Sequence, residues 1–527
     1  MPRNNEINFE DCFNLPNQGL RSYFDIVRKG QPDEYRTPFA KGSSLEQVLK
    51  EWERTLESIS DKWPTLVEFE NDLRKKVGPM SIMKPLSERL KDIDSYYESI
   101  LLDSEPISHK ANDAVLKEFH AIRGMHVRSQ QKTVDNMKKS TNSGSPYFTK
   151  RRNVVEKTLP VGYLTNETQA INHRLWGSCA VLGWRGQEGG PTDDDVKQRV
   201  VWMFPFGVNI RELQVYQPLI EACQRYNLVP AWVSMDAVDQ RITMLFDTKG
   251  RDELIVCTDF SKFDQHFNQD MQDSARYILS HILTLNNQDA SFWLDQVFPI
   301  KYNIPLAYDY GKIRKGPHGM GSGSGGTNAD ETLAHRALQY EAAQSVGARL
   351  NLNSMCLGDD GILSYPGITV EDVVRVYSSH GQEMNVDKQY ASKQDCVYLR
   401  RWHHRDYRIH GVCVGVYSTY RALGRLMEQE RYYDPEIWSK EMVALRQLSI
   451  IENVKYHPLR DQFAEFCMAR DKYRLGIDIP GFLDNIDRYA KEAIEIMPDF
   501  LGYTKSIMPS EATGLSSWWI VNYLKSK

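Results

Sequence analysis

The sequence predicts an α+β fold, and three observations carry that reading. Strand signals gather in the middle of the chain: an apolar run at Leu254–Val256, two runs in MCLGDDGILSYP (355–366), and short pieces at 396–400 and 409–417. Helical spacing dominates both ends, in SLEQVLKEWERTLESIS and again from about residue 418. At 527 residues the chain is too long for one hydrophobic core, so several packed units are expected.

The elements follow in chain order. In residues 1–75, Leu45, Val48, Leu49, Trp52 and Leu56 recur at helical spacing. Residues 85–125 read as charged helices, and KKSTNSGSPYFTKRR (138–152) reads as a basic loop. Residues 184–212 read as a second loop, turning from acidic to basic to apolar. The buried strand before Asp259 leads into a helix over about 269–285. KGPHGMGSGSGG is a glycine-rich loop that runs into a helix, with Thr327 and Asp330 at capping-box spacing. Next, MCLGDDGILSYP reads as strand, tight turn, strand. Thr369 and Asp372 cap a further helix, which Gly381 ends. The chain closes on the apolar GLSSWWIVNYL, expected to pack on the C-terminal helices, with a plug in a channel as the second reading.

Composition narrows the function classes. Hydrophobic residues are 41% and charged residues 26%, as in soluble globular proteins. A formal charge of -5 excludes a chain made basic throughout, so any nucleic-acid site must be a local positive channel. The eight cysteines are scattered without a C-x-x-C pair, which argues against structural zinc and suits a reducing compartment. The N-terminus lacks an apolar signal core, and no window reaches the length of a membrane span.

Four segments together suggest chemistry. They are DFSKFD, with Asp259 and Asp264; GMGSGSGGTN (319–328); LGDDG, with Asp359 and Asp360; and the upstream pair Lys197 and Arg199. Taken singly, each has a plain structural reading: helix N-terminal acids, a linker, a hairpin turn, a solvated face. A carboxylate at a strand end must be solvated, paired or on a metal. If the strands of Asp259 and Asp359 are neighbours, the two repel unless a cation lies between them. Magnesium suits that place, because it takes few carboxylates plus phosphate oxygens.

In this order and spacing the segments resemble viral RNA-dependent RNA polymerases. DFSKFD resembles motif A, GMGSGSGGTN motif B and GDD motif C, with Asp259 and Asp359 100 residues apart. The detailed wording, DFSKFDQHFN with SGSGGTNADE, is most similar to the polymerases of picobirnaviruses, which are small double-stranded RNA viruses. The resemblance implies a right-hand fold: fingers, a palm of antiparallel sheet with flanking helices, and a helical thumb. It implies an N-terminal extension (1–75) bridging fingers and thumb, fingers at 76–210 and 270–310, palm at 211–269 and 311–410, and thumb and C-terminal segment at 411–527.

The resemblance also implies roles. Asp259 and Asp359 would bind two catalytic magnesium ions, with manganese as a substitute, while Asp360 and the Phe260 carbonyl would be lesser ligands. A 3′-hydroxyl would attack the α-phosphate of a ribonucleoside triphosphate. Asp264 would recognise the ribose 2′-hydroxyl, and Ser322, Gly323, Thr327 and Asn328 would wall the nucleotide site. Where relatives often place Asn or Asp, this chain has Glu331; either Glu331 or Asn328 would partner Asp264. Lys197 and Arg199 would neutralise the triphosphate, and Lys388, with Lys393 as runner-up, would act as general acid. Ser143, Gly144, Ser145 and Pro146, with Lys150, Arg151 and Arg152, would guide template RNA. Expected partners are template and product RNA, nucleotides and a viral capsid protein, without a membrane. The expected locations are the virion interior and host cytoplasm. A reverse transcriptase and a non-catalytic RNA-binding protein are the alternatives. Gly358 and Asp264 speak against the first, intact Asp259 and Asp359 against the second.

Overall fold

The computed structural model describes residues 7–284, 287–434, 436–496 and 514–527. At its centre lies a four-stranded antiparallel sheet in the order Met355–Leu357, Asp360–Leu363, Ile255–Thr258, Tyr390–Ser392. Both faces are covered, which is why the Ile255–Thr258 strand is apolar without alternation. Val256 and Leu363 pack into the largest core, together with helices Gln269–Ile282, Thr327–Ser345 and Val370–Ser379. Ile255, Cys257, Met355 and Ile362 face the other way, against helix Met235–Thr248 and the hairpin of Asp395–Tyr398 with Arg401–His404. The expected helix over 269–285 thus ends at Ile282, and residue 285 lies outside the described residues.

The stretch 184–212 is not a loop. Ala180–Gln187 and Lys197–Met203 form a long antiparallel hairpin, in a second sheet with Leu306–Asp309 and Lys312–Arg314, and helix Phe206–Arg225 follows. The second strand buries Val200 and Trp202 while Lys197 and Arg199 face outward, so charge on one face masked its strand character. Thr327 also departs from expectation. It is the first residue of its helix rather than the cap, and its hydroxyl lies 3.2 Å from the carbonyls of Gly321, Ser322 and Ser324. Asp330 turns inward, where Lys301 Nζ lies 3.0 Å away and the hydroxyls of Tyr216 and Tyr302 donate to it at 2.6 Å. Thr369 does cap its helix, accepting from the Asp372 N–H at 3.1 Å.

The chain's two ends meet. The expected helix (Leu45–Glu57) buries Val48, Leu49, Trp52 and Leu56 in one core with Leu423, Leu448, Phe463 and Trp518. Glu70, fully buried, accepts from the Thr419 N–H and lies 3.1 Å from His457 Nε2. The C-terminal helix Trp519–Lys525 docks on helix Lys440–Glu452, and Glu452 accepts the N–H groups of Trp519 and Ile520. Packing on the C-terminal helices is therefore the observed arrangement. Residues 497–513 of the expected C-terminal segment lie outside the described residues. No described helix is long and apolar enough to cross a membrane.

Candidate active site

Asp259 closes the Ile255–Thr258 strand with an exposed side chain. Its backbone is held by one amide: Gln389 Oε1 accepts the Asp259 N–H at 2.7 Å, and Gln389 Nε2 donates to the Asp259 carbonyl at 2.9 Å. The register Gly361 opposite Thr258 brings Asp359 to the same end of the sheet. Leu357 pairs with Asp360 around a two-residue turn of Gly358 and Asp359, and Gly358 has φ +57°. Glycine at the first turn position is what such hairpins require.

Helix Thr327–Ser345 grips this turn from beneath. Gly358 donates its N–H to Thr332 Oγ1 at 2.9 Å and accepts at 2.8 Å from His335 Nδ1. Burial brings His335 down to about 4, so the ring is neutral and its one N–H points at that carbonyl. The two aspartates of the turn part company here. Asp360 Oδ2 accepts the Leu399 N–H at 2.9 Å, tying the next hairpin to the sheet, and burial together with the charge of Asp359 pushes Asp360 up to about 7. Asp359 stays accessible at the tip. Desolvation in the crowded cleft and the charge of Asp264 raise its carboxyl, while Arg199 and Arg400 pull it back.

Glu331 is the partner of Asp264. The two carboxyls share a hydrogen bond, and burial, then Asp264, Asp359 and Asp330, hold Glu331 well above the usual carboxylate range. A protonated Glu331 donates to Asp264, as an amide would in its place. Asn328 is engaged elsewhere, accepting from Trp232 Nε1 at 2.8 Å. The glycine loop lies on the strand that carries the basic pair. Ser322 Oγ donates to the Val200 carbonyl at 3.3 Å, and a Cβ on Gly323 would fall 1.5 Å from the Trp202 carbonyl oxygen. Lys197 is lowered by desolvation and by Lys76, Arg400 and Arg199, with Asp259 opposing, so it shares one space with three cations and that carboxylate.

A family model described as viral RNA-dependent RNA polymerase matches residues 29–412. The chain belongs to that family. It is 62% identical over 524 residues to a potential RNA-dependent RNA polymerase of Human picobirnavirus (strain Human/Thailand/Hy005102/-), with 98% of each chain covered. It is similar to the crystal structure of the RNA-dependent RNA polymerase of a human picobirnavirus, at 62% identity, 98% coverage of both chains and a TM-score of 0.94. The insertion loop deletion mutant of a human picobirnavirus polymerase matches at 60% identity, 98% coverage of both chains and a TM-score of 0.92. The right-hand α+β fold and RNA-directed RNA synthesis follow for this chain.

In the polymerase the loop expected to guide template RNA differs from expectation. Ser143, Gly144, Ser145 and Pro146 are buried, and Ser145 Oγ donates to the Cys12 carbonyl at 2.5 Å. Arg151 also turns inward, donating to Asn209 Oδ1 at 2.7 Å and to the Lys138 carbonyl at 3.2 Å. These five groups shape the loop, because an arginine spent on a buried amide is not free for a phosphate. Lys150 and Arg152 remain exposed. Lys388 is exposed beside the Gln389 clamp, whereas Lys393 lies 3.8 Å from Asp252.

The family uses divalent metal ions, and the donor set suits one. The site offers hard carboxylate oxygens of Asp259 and Asp359 at one sheet end, with the Phe260 backbone next to Asp259. Among the described residues no three or more His, Cys, Asp or Glu side chains are drawn into a closed cage. Sequence reading missed three residues: Gln389, Thr332 and His335. Each acts on backbone, and a side chain that holds backbone leaves no pattern in the sequence. The positions of Thr332 and His335 one helical turn apart, a few residues beyond the glycine loop, were the only signal.

Proposed function

We propose that Asp259 and Asp359 hold two magnesium ions, for which manganese can substitute, and that this centre replicates and transcribes a viral double-stranded RNA genome. The carrying observation is the convergence of both carboxylates at one end of the sheet, facing Lys197, Arg199 and Arg400. Bound magnesium would activate the 3′-hydroxyl and stabilise charge on the departing pyrophosphate. The chain's own residues do the rest. Lys197 and Arg199 neutralise the triphosphate, and Ser322, Gly323, Thr327 and Asn328 form the wall against the base and sugar. Glu331 donates to Asp264, which leaves Asp264 free to accept from a ribose 2′-hydroxyl. Lys388 gives a proton to the leaving pyrophosphate, and Lys150 and Arg152 hold template phosphates. Asp360 and the Phe260 carbonyl are peripheral to the metals, since Asp360 already serves Leu399.

On this reading fingers comprise 76–210 and 270–310, palm 211–269 and 311–410, and thumb 411–527, with residues 1–75 bridging fingers and thumb. The enzyme works inside the virion, attached to capsid protein, and in the host cytoplasm. The deciding experiment compares Asp359→Asn with wild type on single-stranded RNA, ribonucleotides and magnesium. Synthesis should be abolished while RNA binding stays within about twofold, because one charge leaves the metal pair and no RNA contact is touched. Normal turnover by this variant would overturn the metal assignment.

A further inference from the structure

Lys301 lies in the short helical segment Phe298–Tyr302, and no role above uses its charge. Its Nζ donates to the Phe298 carbonyl at 2.7 Å and lies 3.0 Å from Asp330 Oδ2. Four rings enclose the ammonium: Phe298 with its centroid at 3.6 Å, Tyr302 at 5.0 Å, Tyr216 at 5.4 Å and Trp293 at 5.8 Å. The side chains of Lys301 and Asp330 are both 0% exposed, so neither can touch nucleotide or RNA. A buried ion pair adds little net stability, because desolvation offsets its attraction. What this pair adds is geometry.

The glycine loop is strung between Lys301–Tyr302 and Asp264. The Lys301 carbonyl accepts the Gly321 N–H at 3.0 Å, and the Tyr302 carbonyl accepts the His318 N–H at 2.9 Å. Between them Met320 donates its N–H to the Asp264 carbonyl at 2.9 Å. The helix that follows, Thr327–Ser345, has no side-chain cap from Gly326. Beyond the Thr327 hydroxyl, its first turn is oriented by Asp330. The two oxygens of Asp330 meet three donors from two elements: Tyr216 of helix Phe206–Arg225, and Lys301 and Tyr302. A carboxylate held in this way cannot swing, and Glu331 is the next residue. Successive helical residues lie about 100° apart, so fixing the direction of Asp330 fixes that of Glu331. Lys301 also acts on Glu212, which burial raises and which Lys301 leads the other groups in opposing. Glu212 in turn holds Gly325 and Ser324. One ammonium thus organises both carboxylates that anchor the start of the helix.

We infer that Lys301 and Asp330 are positioning residues for sugar selection: their buried pair sets the glycine loop and the first helical turn so that Glu331 meets Asp264 where a ribose 2′-hydroxyl binds. The inference rests on the reading of Asp264 as the residue that recognises that hydroxyl. A loosened pair lets Glu331 and Asp264 drift apart. That weakens the hydrogen bond to a ribose and costs a deoxyribose nothing, since it makes no such bond. Discrimination therefore falls, because it comes from a site built to bond a hydroxyl.

The test measures kcat/KM for a ribonucleotide and for its 2′-deoxy counterpart, using the full chain with template RNA and magnesium. Lys301→Met/Asp330→Asn removes both charges, so neither is left buried without its partner. Tyr302→Phe removes one donor and keeps the ion pair. Both should lower the ribose-to-deoxyribose ratio about fivefold to tenfold, through a raised KM for the ribonucleotide, with the deoxynucleotide unaffected. Loss of folded enzyme lowers both sugars equally and leaves the ratio untouched, so the ratio separates positioning from stability. If the double variant melts below the assay temperature, Tyr302→Phe decides alone. An unchanged ratio in the folded variants would overturn the inference. In an Asp264→Ala background the same changes should leave the ratio where Asp264→Ala alone puts it. A further fall there would break the connection to Asp264. Asp264→Ala by itself checks the underlying reading. An unchanged ratio in that variant removes sugar recognition by Asp264, and this inference with it. A lowered ratio there, with unchanged ratios in the Lys301 and Tyr302 variants, sinks this inference alone.

Discussion

Asp359 and Asp360 are neighbours in the chain with the same side chain, and the fold gives them different work. Asp360 opens a strand and reaches the Leu399 N–H, while Asp359 sits in the turn and stays at the open tip. In the bare sequence the two are equal, and only the resemblance to the polymerase family ranked Asp359 above Asp360; the physical reason, the Leu399 contact, is a tertiary one. Asp264 shows the same limit. Its place five residues after Asp259 was legible, but the choice between Glu331 and Asn328 was not. That choice depends on Trp232, which draws Asn328 away from 96 residues upstream. Asp264→Ala should lower the preference for ribonucleotides over deoxyribonucleotides by about tenfold to a hundredfold, the worth of a hydrogen bond to a charged acceptor. Single-nucleotide incorporation with each sugar measures it. An unchanged ratio would remove Asp264 from sugar recognition.

At the scale of elements, one helix organises the site. Thr327–Ser345 carries the glycine loop at its start, Glu331 on its second turn, and Thr332 and His335 against the Gly358 turn. Its own start is fixed from helix Phe206–Arg225: buried Glu212 accepts the Gly325 N–H at 3.2 Å and bonds the Ser324 hydroxyl. Helices with clear apolar spacing, such as Leu45–Glu57, were readable from sequence. The long hairpin was not, since its outward charges and nine-residue connection imitate a loop. Yet that hairpin is what the glycine loop rests on. Gly323 is where they touch, and Gly323→Ala must push the loop off the Trp202 carbonyl. Overpacking of this kind costs about 1–3 kcal/mol, and it falls on the proposed nucleotide wall rather than on a remote core. Incorporation efficiency, kcat/KM for nucleotides, should fall about tenfold to a hundredfold with the melting temperature nearly unchanged. Wild-type kinetics would mean that the loop yields freely and does not set the wall.

Across the whole molecule, the N-terminal segment ties distant parts together. Phe9, Phe13, Leu20 and Phe24 pack with Cys179, Val181 and Ala307, whereas Phe39 to Leu56 join the C-terminal helices. Between these anchors Tyr35–Arg36 pairs with Glu428–Gln429 as a two-stranded sheet. Three acids meet at that junction from three regions: Glu34, Asp193 and Glu428, with Arg36 among them. Glu428 is 2% exposed, and burial pushes its carboxyl up to about 7, with Glu34 and Asp193 adding and Arg36 opposing. An unfolded glutamate titrates near 4.5. Below that pH Glu428 is neutral in both states and adds nothing to the pH dependence of stability. As pH rises from about 4.5 through about 7, the unfolded chain releases this proton first, so the group progressively favours unfolding. Glu428→Gln keeps the volume and removes the titration. The variant should therefore melt close to wild type at pH 4.5 and increasingly above it toward pH 8. Glu34, hydrogen-bonded to Asp193 and also raised to about 7, repels Glu428, so the variant relieves Glu34 in the same direction and the difference reports the coupled junction. Thermal melts of the two proteins across that range give the difference directly. A difference that stays constant from pH 4.5 to 8 would show that Glu428 ionises as freely in the folded junction as in water, and that the junction is open to solvent.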